Sequence, residues 1–287
     1  MVLGNESADR RLIAAGRRHS VVVGSDGAVM TAGIPAAPEC RVGGWRDVVA
    51  VAAGNVHTAA NTGRSHTVGL HANGTVVAAG WNGDGQCDTA NWTDAVSIAA
   101  GWRRTLAVLA NGTVLAIGRT RDGACDVTTW REVIAVAAGD WHSVGVRADG
   151  TVTATGINRR GQCEVAGWRS VRVAAAGYLH TVAVTDAGKV LAVGDATAGV
   201  AEVSRWREIV DVSAGSHHTV GVDTTGRVLA AGDNSRGQCD VFSWRKVVAV
   251  AAGSTHTLGL RADGRVLAVG NNDDGQCEIT QWRLRLG

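Results

Sequence analysis

A period of 38 residues constrains what this chain can fold into more than any other feature. Seven tryptophans, Trp45, Trp92, Trp130, Trp168, Trp206, Trp244 and Trp282, are separated by 47, 38, 38, 38, 38 and 38 residues, and the 47 is one period plus nine. Glycines keep the same step: Gly16 to Gly54, then Gly63, Gly101, Gly139, Gly177, Gly215 and Gly253. The nine extra residues therefore fall near 55–63, where GNVHT is followed nine residues later by GRSHT, as in a slipped copy. A repeat of this length cannot bury its apolar side alone, so neighbouring copies must stack.

The last copy spells out the unit: VVAVAAG, two variable residues, HTLGL, RADG, RVLAVG, the loop NNDDG and QCEITQW. Short Val-rich pieces separated by turn residues predict β-strands. Asp26-Gly27, Asn73-Gly74, Asn111-Gly112, Asp149-Gly150 and Asp263-Gly264 are hairpin signals, because these dipeptides accept positive φ. Each unit is expected to hold four short strands. Seven units with little left over at either end predict an all-β closed ring, a seven-bladed β-propeller of four-stranded repeats forming one domain over 1–287, since radial repetition protects sheet edges. The 39 glycines are about twice the usual share of roughly 7%, which suits blades packed closely around an axis.

The segments IAAGRRHSVVV, VAAGDWHSVGV, AAAGYLHTVAV, VSAGSHHTVGV and VAAGSTHTLGL share the phrase small-small-Gly-x-x-His-Ser/Thr-apolar-x-apolar. This phrase resembles the repeat of the regulator of chromosome condensation family, and the resemblance covers residues 11 to 282. It implies a seven-bladed propeller. The family includes nucleotide-exchange factors, protein-interaction modules and secreted propellers that inhibit β-lactamases, which this chain also resembles, so the resemblance implies a fold more than an activity.

Most motifs with chemical residues repeat once per unit, which assigns them to the fold. Cys40, Cys87, Cys125, Cys163, Cys239 and Cys277 share one position. Packed sheets lie about 10 Å apart, too far for a disulfide or a zinc site, so buried structural thiols are expected. His19, His142, His180, His218 and His256, with His57 or His66 in unit two, also share a position; catalysis needs different groups converging, not copies of one. The Trp-Arg pairs belong to the core and its rim. No GxSxG, HExxH or P-loop occurs, so no metal and no cofactor are expected. No run of 18 apolar residues and no leader pattern at the start suggest a cytoplasmic protein without membrane contact. A net charge of +2 makes nucleic acid an unexpected partner.

Function is therefore sought where the copies differ. In an antiparallel meander the loop after AAG and the loop before QC fall on one face. All three tryptophans outside the repeat, Trp81, Trp102 and Trp141, and the single tyrosine, Tyr178, lie in these loops in units two to five. Arg64, Arg103, Arg104, Arg119, Arg121, Arg159 and Arg160 cluster with them, and Asp140 and His217 lie beside them. Arg104 stands where the other copies carry histidine. Asp195, Asp233, Asp273 and Asp274 on the far side predict a face divided by charge. Trp, Tyr and Arg dominate binding hot spots, so the face is expected to bind an acidic protein or peptide, or a small anionic or aromatic molecule. The alternative is a cofactor-independent lyase, isomerase or cyclase at the mouth of the central channel, with Arg104 holding an anion and Asp140, Tyr178 and His217 around it.

Overall fold

The computed structural model describes residues 10–55, 57, 65–284 and 286. It contains seven antiparallel sheets, each of three strands consecutive in the chain. In blade three the inner strand is Ala95–Gly101, the middle strand Arg104–Leu109 and the outer strand Val114–Gly118. The other middle strands start at the histidine position: His19, His66, His142, His180, His218 and His256. In unit two it is thus His66, not His57, that occupies the repeat position.

Among the described residues, no sheet has the expected fourth strand. The segment from cysteine to tryptophan instead spends its amides on turns: in unit two Cys87 donates to Asn82 Oδ1, Asp88 to Gly85 O, Thr89 to Cys87 O and Trp92 to Thr89 O. Amides used locally cannot extend the ladder, and the segment covers the outer edge rather than pairing with it.

Three devices repeat around the ring and bind each blade to the next. First, the tryptophan that ends one unit lies on the middle strand of the following blade. A Cβ on Gly69 would stand 2.9 Å from Trp45, and one on Gly145 would stand 2.8 Å from Trp130, so this position stays small. Trp282 packs in one core with Ile13, Ala15 and Val22, which closes the last blade onto the first. Second, the hairpin glycines accept from the next inner strand, as in Val48 N–H to Gly27 O and Ala95 N–H to Gly74 O, both 3.0 Å. Gly27 and Gly74 have φ of 73° and 82°, where a side chain would be strained.

The third device is polar. His19 Nε2 meets Thr67 Oγ1 at 2.9 Å, His66 meets Thr105 at 2.9 Å, His142 meets Thr181 at 2.7 Å, His180 meets Thr219 at 3.1 Å, His218 meets Thr257 at 3.0 Å and His256 meets Ser20 at 3.0 Å. Each hydroxyl donates its own proton to a backbone carbonyl, such as Gln86 O or Gln162 O at 2.7 Å. The hydroxyl must therefore accept from the ring, which fixes a neutral imidazole protonated on Nε2. All six histidines are buried, and burial pulls their pKa down to about 3 or about 4.

The cysteines are half-buried rather than buried, and none is in a disulfide. Cys125 Sγ donates to Arg119 O at 3.1 Å and Cys277 Sγ to Asn271 O at 3.4 Å. Burial pushes the thiols of Cys87, Cys125, Cys163, Cys239 and Cys277 up to about 11. Among the described residues, no group of three metal-ligating side chains is assembled and no helix is long and apolar enough to cross a membrane. The inner strands surround a central cavity of about 870 Å³ walled mainly by alanine and valine.

Candidate functional site

The residue after each repeat glycine sits at the axial end of an inner strand, and it differs in almost every blade: Arg17, Asn55, Trp102, Asp140, Tyr178, Ser216 and Ser254. All but the half-buried Tyr178 are buried. His57 stands among them. Its backbone N–H and its Nδ1 both reach Asp140 Oδ2, at 2.6 and 2.8 Å. Its ring stacks on Tyr178 at 4.7 Å between centroids and meets Trp102 edge-on at 5.6 Å. Trp102 and Trp141 form an edge-to-face pair at 4.4 Å, and Tyr178 meets His217 at 5.1 Å. The duplicated GNVHT phrase thus supplies, through its own histidine, a residue that joins blade two to blades three, four and five.

A second row runs outward from this cluster. The Arg103 guanidinium lies between Trp81 and Trp102, 4.6 and 4.7 Å from their rings. Arg119 lies between Trp102 and Trp141, at 5.1 and 5.8 Å. The result is an alternating ladder, Trp81, Arg103, Trp102, Arg119, Trp141. Each arginine is also held by a carboxylate, Arg103 by Asp84 at 3.5 Å and Arg119 by Asp122 at 3.4 Å. Four cation–π contacts at roughly 0.5–1 kcal/mol each stiffen five long side chains before any partner arrives.

Arg104 explains how the ladder is set. In blades one, four, five, six and seven the histidine ring folds back over the repeat glycine; a Cβ on Gly16 would meet His19 at 2.3 Å. Arg104 extends away instead, into blade four. Its Nε donates to Ser143 Oγ at 3.1 Å, Nη1 to Asp140 O at 3.0 Å, and Nη2 to Gly139 O and His142 O, both at 2.6 Å. With no ring over Gly101, the hairpin tightens until Gly101 pairs with Arg104, and Arg103 turns to φ 61°. A left-handed conformation at a residue other than glycine costs roughly 1–3 kcal/mol; here it swings Arg103 over the two indoles. Burial lowers the Arg104 pKa, opposed by the carboxylates of Asp122 and Asp140.

The sequence-predicted residues divide accordingly. Trp81, Trp102, Arg103, Arg119, Trp141, Tyr178 and His217 come together. Arg121 and Arg159 occupy equivalent loop tips of blades three and four, exposed and without a side-chain partner among the described residues. Arg160 reaches Asp195 at 3.9 Å. Arg64 lies outside the described residues, as does most of the insertion near 55–63. Two expectations are corrected. Arg104 is fully buried with its donors spent on blade four, so it offers no anion site, and Asp140 is fully buried with one oxygen held by His57. The charge-divided face is also corrected: Asp195, Asp273 and Asp274 are paired with Arg160, Arg236 and Arg18, and Asp233 accepts from Ser235 and Gln238. Arg17, Asn55, Ser216 and Ser254 were not among the residues expected at the site, and His57 was expected only as a possible repeat histidine, although their place immediately after the repeat glycine, or in the duplicated phrase, marks them.

The four residues proposed for catalysis, Arg104, Asp140, Tyr178 and His217, line no part of the 870 Å³ cavity.

With this geometry in place, the chain can be set beside known proteins. The model of the regulator of chromosome condensation (RCC1) repeat matches residues 61–86, 133–162, 209–238 and 247–276. The chain is an RCC1-like β-propeller. Among solved structures, it is similar to Prp20p of Saccharomyces cerevisiae, described with its binding to Gsp1p and histones, with 16% identity over 100% of this chain and 90% of that one and a TM-score of 0.67. Human WBSCR16 is 19% identical over 87% and 86% of the two chains, TM-score 0.65. The ectodomain of the Arabidopsis thaliana receptor kinase ACR4 is 18% identical over 77% and 84%, TM-score 0.63. At these identities the likeness concerns the fold. No match to a curated protein sequence was found.

Proposed function

We propose that this RCC1-like propeller is a protein-binding module that docks an acidic segment of a partner on the loop face of blades two to five. The observation that carries this reading is the ladder from Trp81 to Trp141, bordered by the two unpaired cations Arg121 and Arg159. A stiff aromatic and guanidinium surface loses little side-chain entropy on docking. Carboxylates of the partner would meet Arg121 and Arg159 one blade apart, while its apolar groups rest on Trp81 and Trp141. The binding to proteins described for Prp20p supports a protein partner.

The test uses a fluorescein-labelled Glu-rich peptide carrying two aromatic residues, and a Lys-rich peptide of the same length. Both arginines are exposed, so the double variant Arg121→Glu, Arg159→Glu keeps the fold. The acidic peptide is expected to bind at least tenfold better than the basic one and to lose at least tenfold in the double variant, with weaker binding at high salt. Equal binding of the two peptides, or a double variant that binds like the parent, overturns the proposal.

A further inference from the structure

The central cavity reaches the face opposite the ladder, and several of its residues there depart from the repeat. The second position of the inner strand is Val49, Val96, Ile134, Val210 and Val248 in five blades but Arg172 in blade five; in blade one the equivalent residue, Arg11, lies in the 3-10 turn Arg10–Leu12 before the strand. Val49, Val96 and Ile134 are exposed at 45%, 41% and 38%, and of these Ile134 lines the cavity, together with Val210 and Val248. The residue at positive φ before each inner strand is Asp47, Asp94, Glu132, Ser170 and Glu208 in five blades, and Lys246 in blade seven. Only Lys246 of this set lines the cavity.

The charged groups at the mouth are not equally available. Asp223 accepts amide protons from Thr225 and Arg227, and Asp211 accepts one from Val250. Arg172 donates Nη2 to Ile209 O and Val210 O, but its buried Nε has no partner. The Lys246 ammonium is exposed and pairs with nothing among the described residues. At the position of Ser97 the other blades carry Leu12, Ala50, Ala135, Val173, Asp211 and Ala249; Ser97 lines the wall, is 8% exposed, and its hydroxyl makes no hydrogen bond among the described residues. Alanine and valine make up most of the remaining wall, with Arg11, Asn55, Ser213, Thr224 and Thr225 among them, and the volume lies within the roughly 300–1,000 Å³ of small-molecule sites.

From this arrangement we propose that the channel is a binding site for a single-chain amphiphile, its apolar tail among the alanines and valines and its anionic head between Arg172 and Lys246. The head can be a carboxylate, phosphate or sulfate, since each accepts from a guanidinium and an ammonium. The site lies on the other face from the protein-docking surface and does not depend on it.

The experiment measures dodecanoate, dodecyltrimethylammonium and octyl glucoside by titration calorimetry below their micelle concentrations. A sedimentation arm with anionic phospholipid vesicles separates a free amphiphile from a membrane surface as the source of the head. The variants restore what other blades carry, Arg172→Val and Lys246→Glu, so both are compatible with the fold. Dodecanoate is expected to bind one per chain with a negative heat-capacity change, at least tenfold more tightly than dodecyltrimethylammonium, and to lose at least tenfold in the double variant. Equal binding of both charged amphiphiles, an unaffected double variant, or vesicle binding without dodecanoate binding overturns the proposal.

Discussion

Acidification should unfold this propeller at an unusually high pH, because six histidines of the ring are held neutral. Their folded pKa values lie at about 3 or about 4, against about 6.5 in an unfolded chain. Between pH 6.5 and 4 the unfolded chain binds the protons and the folded one does not, so stability is complete above pH 6.5 and drains away below it. At pH 5.5 each histidine costs the fold about 1.4 kcal/mol, a figure set by the unfolded pKa alone while the folded ring takes up no protons. Six such groups amount to about 8 kcal/mol, comparable with the whole stability of a typical domain, about 5–15 kcal/mol. Urea unfolding followed by tryptophan fluorescence at pH 7.5 and 5.5 measures the difference directly. His218→Gln keeps a donor toward Thr257 and should shrink the pH-dependent loss by about 1.4 kcal/mol, whatever it does to stability at pH 7.5. A loss below about 2 kcal/mol between the two pH values, or a His218→Gln variant with the parent's pH dependence, would refute the neutral ring.

Two further outcomes are expected. Arg104→Ala removes the donors to Ser143 Oγ and Asp140 O, and one donor each from Gly139 O and His142 O, which keep backbone donors, and opens a cavity, so thermal unfolding should show a loss of about 3–5 kcal/mol; Arg104→His should recover most of it yet move Trp102 fluorescence, because Arg103 loses the tight hairpin. The thiols, five of them at about 11, should react with a disulfide reagent at pH 8 at least tenfold more slowly than a free cysteine, and fast labelling of the native protein would contradict their placement.

The ring was legible because each blade reuses one set of contacts. Trp45 on Gly69, His66 on Thr105 and Gly74 on Ala95 recur at 38 residues, so spacing alone exposes them. The fourth strand was misread for a related reason: QCEITQW alternates like a strand, but its amides are consumed by turns that depend on side chains such as Asn82 and Asn272. The aromatic and arginine cluster was also legible, as the set of residues that do not repeat. What each of them does was not, since Arg103 and Arg104 are adjacent in sequence and opposite in fate.

Sequence by itself determined the period, the all-β ring, the structural role of the repeated histidines and the face on which the copies diverge. Those features follow from one local pattern applied seven times. Tertiary structure alone decided that Arg104 points into blade four and is spent there, that His57 crosses from the inserted phrase to Asp140, and that the aspartates opposite the ladder are already paired. Each of these depends on which groups meet across blades some 40 to 80 residues apart, and in a low-dielectric interior a buried charge goes wherever enough acceptors converge on it. The residue that breaks the histidine rule therefore acts on the candidate site from beneath, by shaping the loop that carries Trp102 and Arg103.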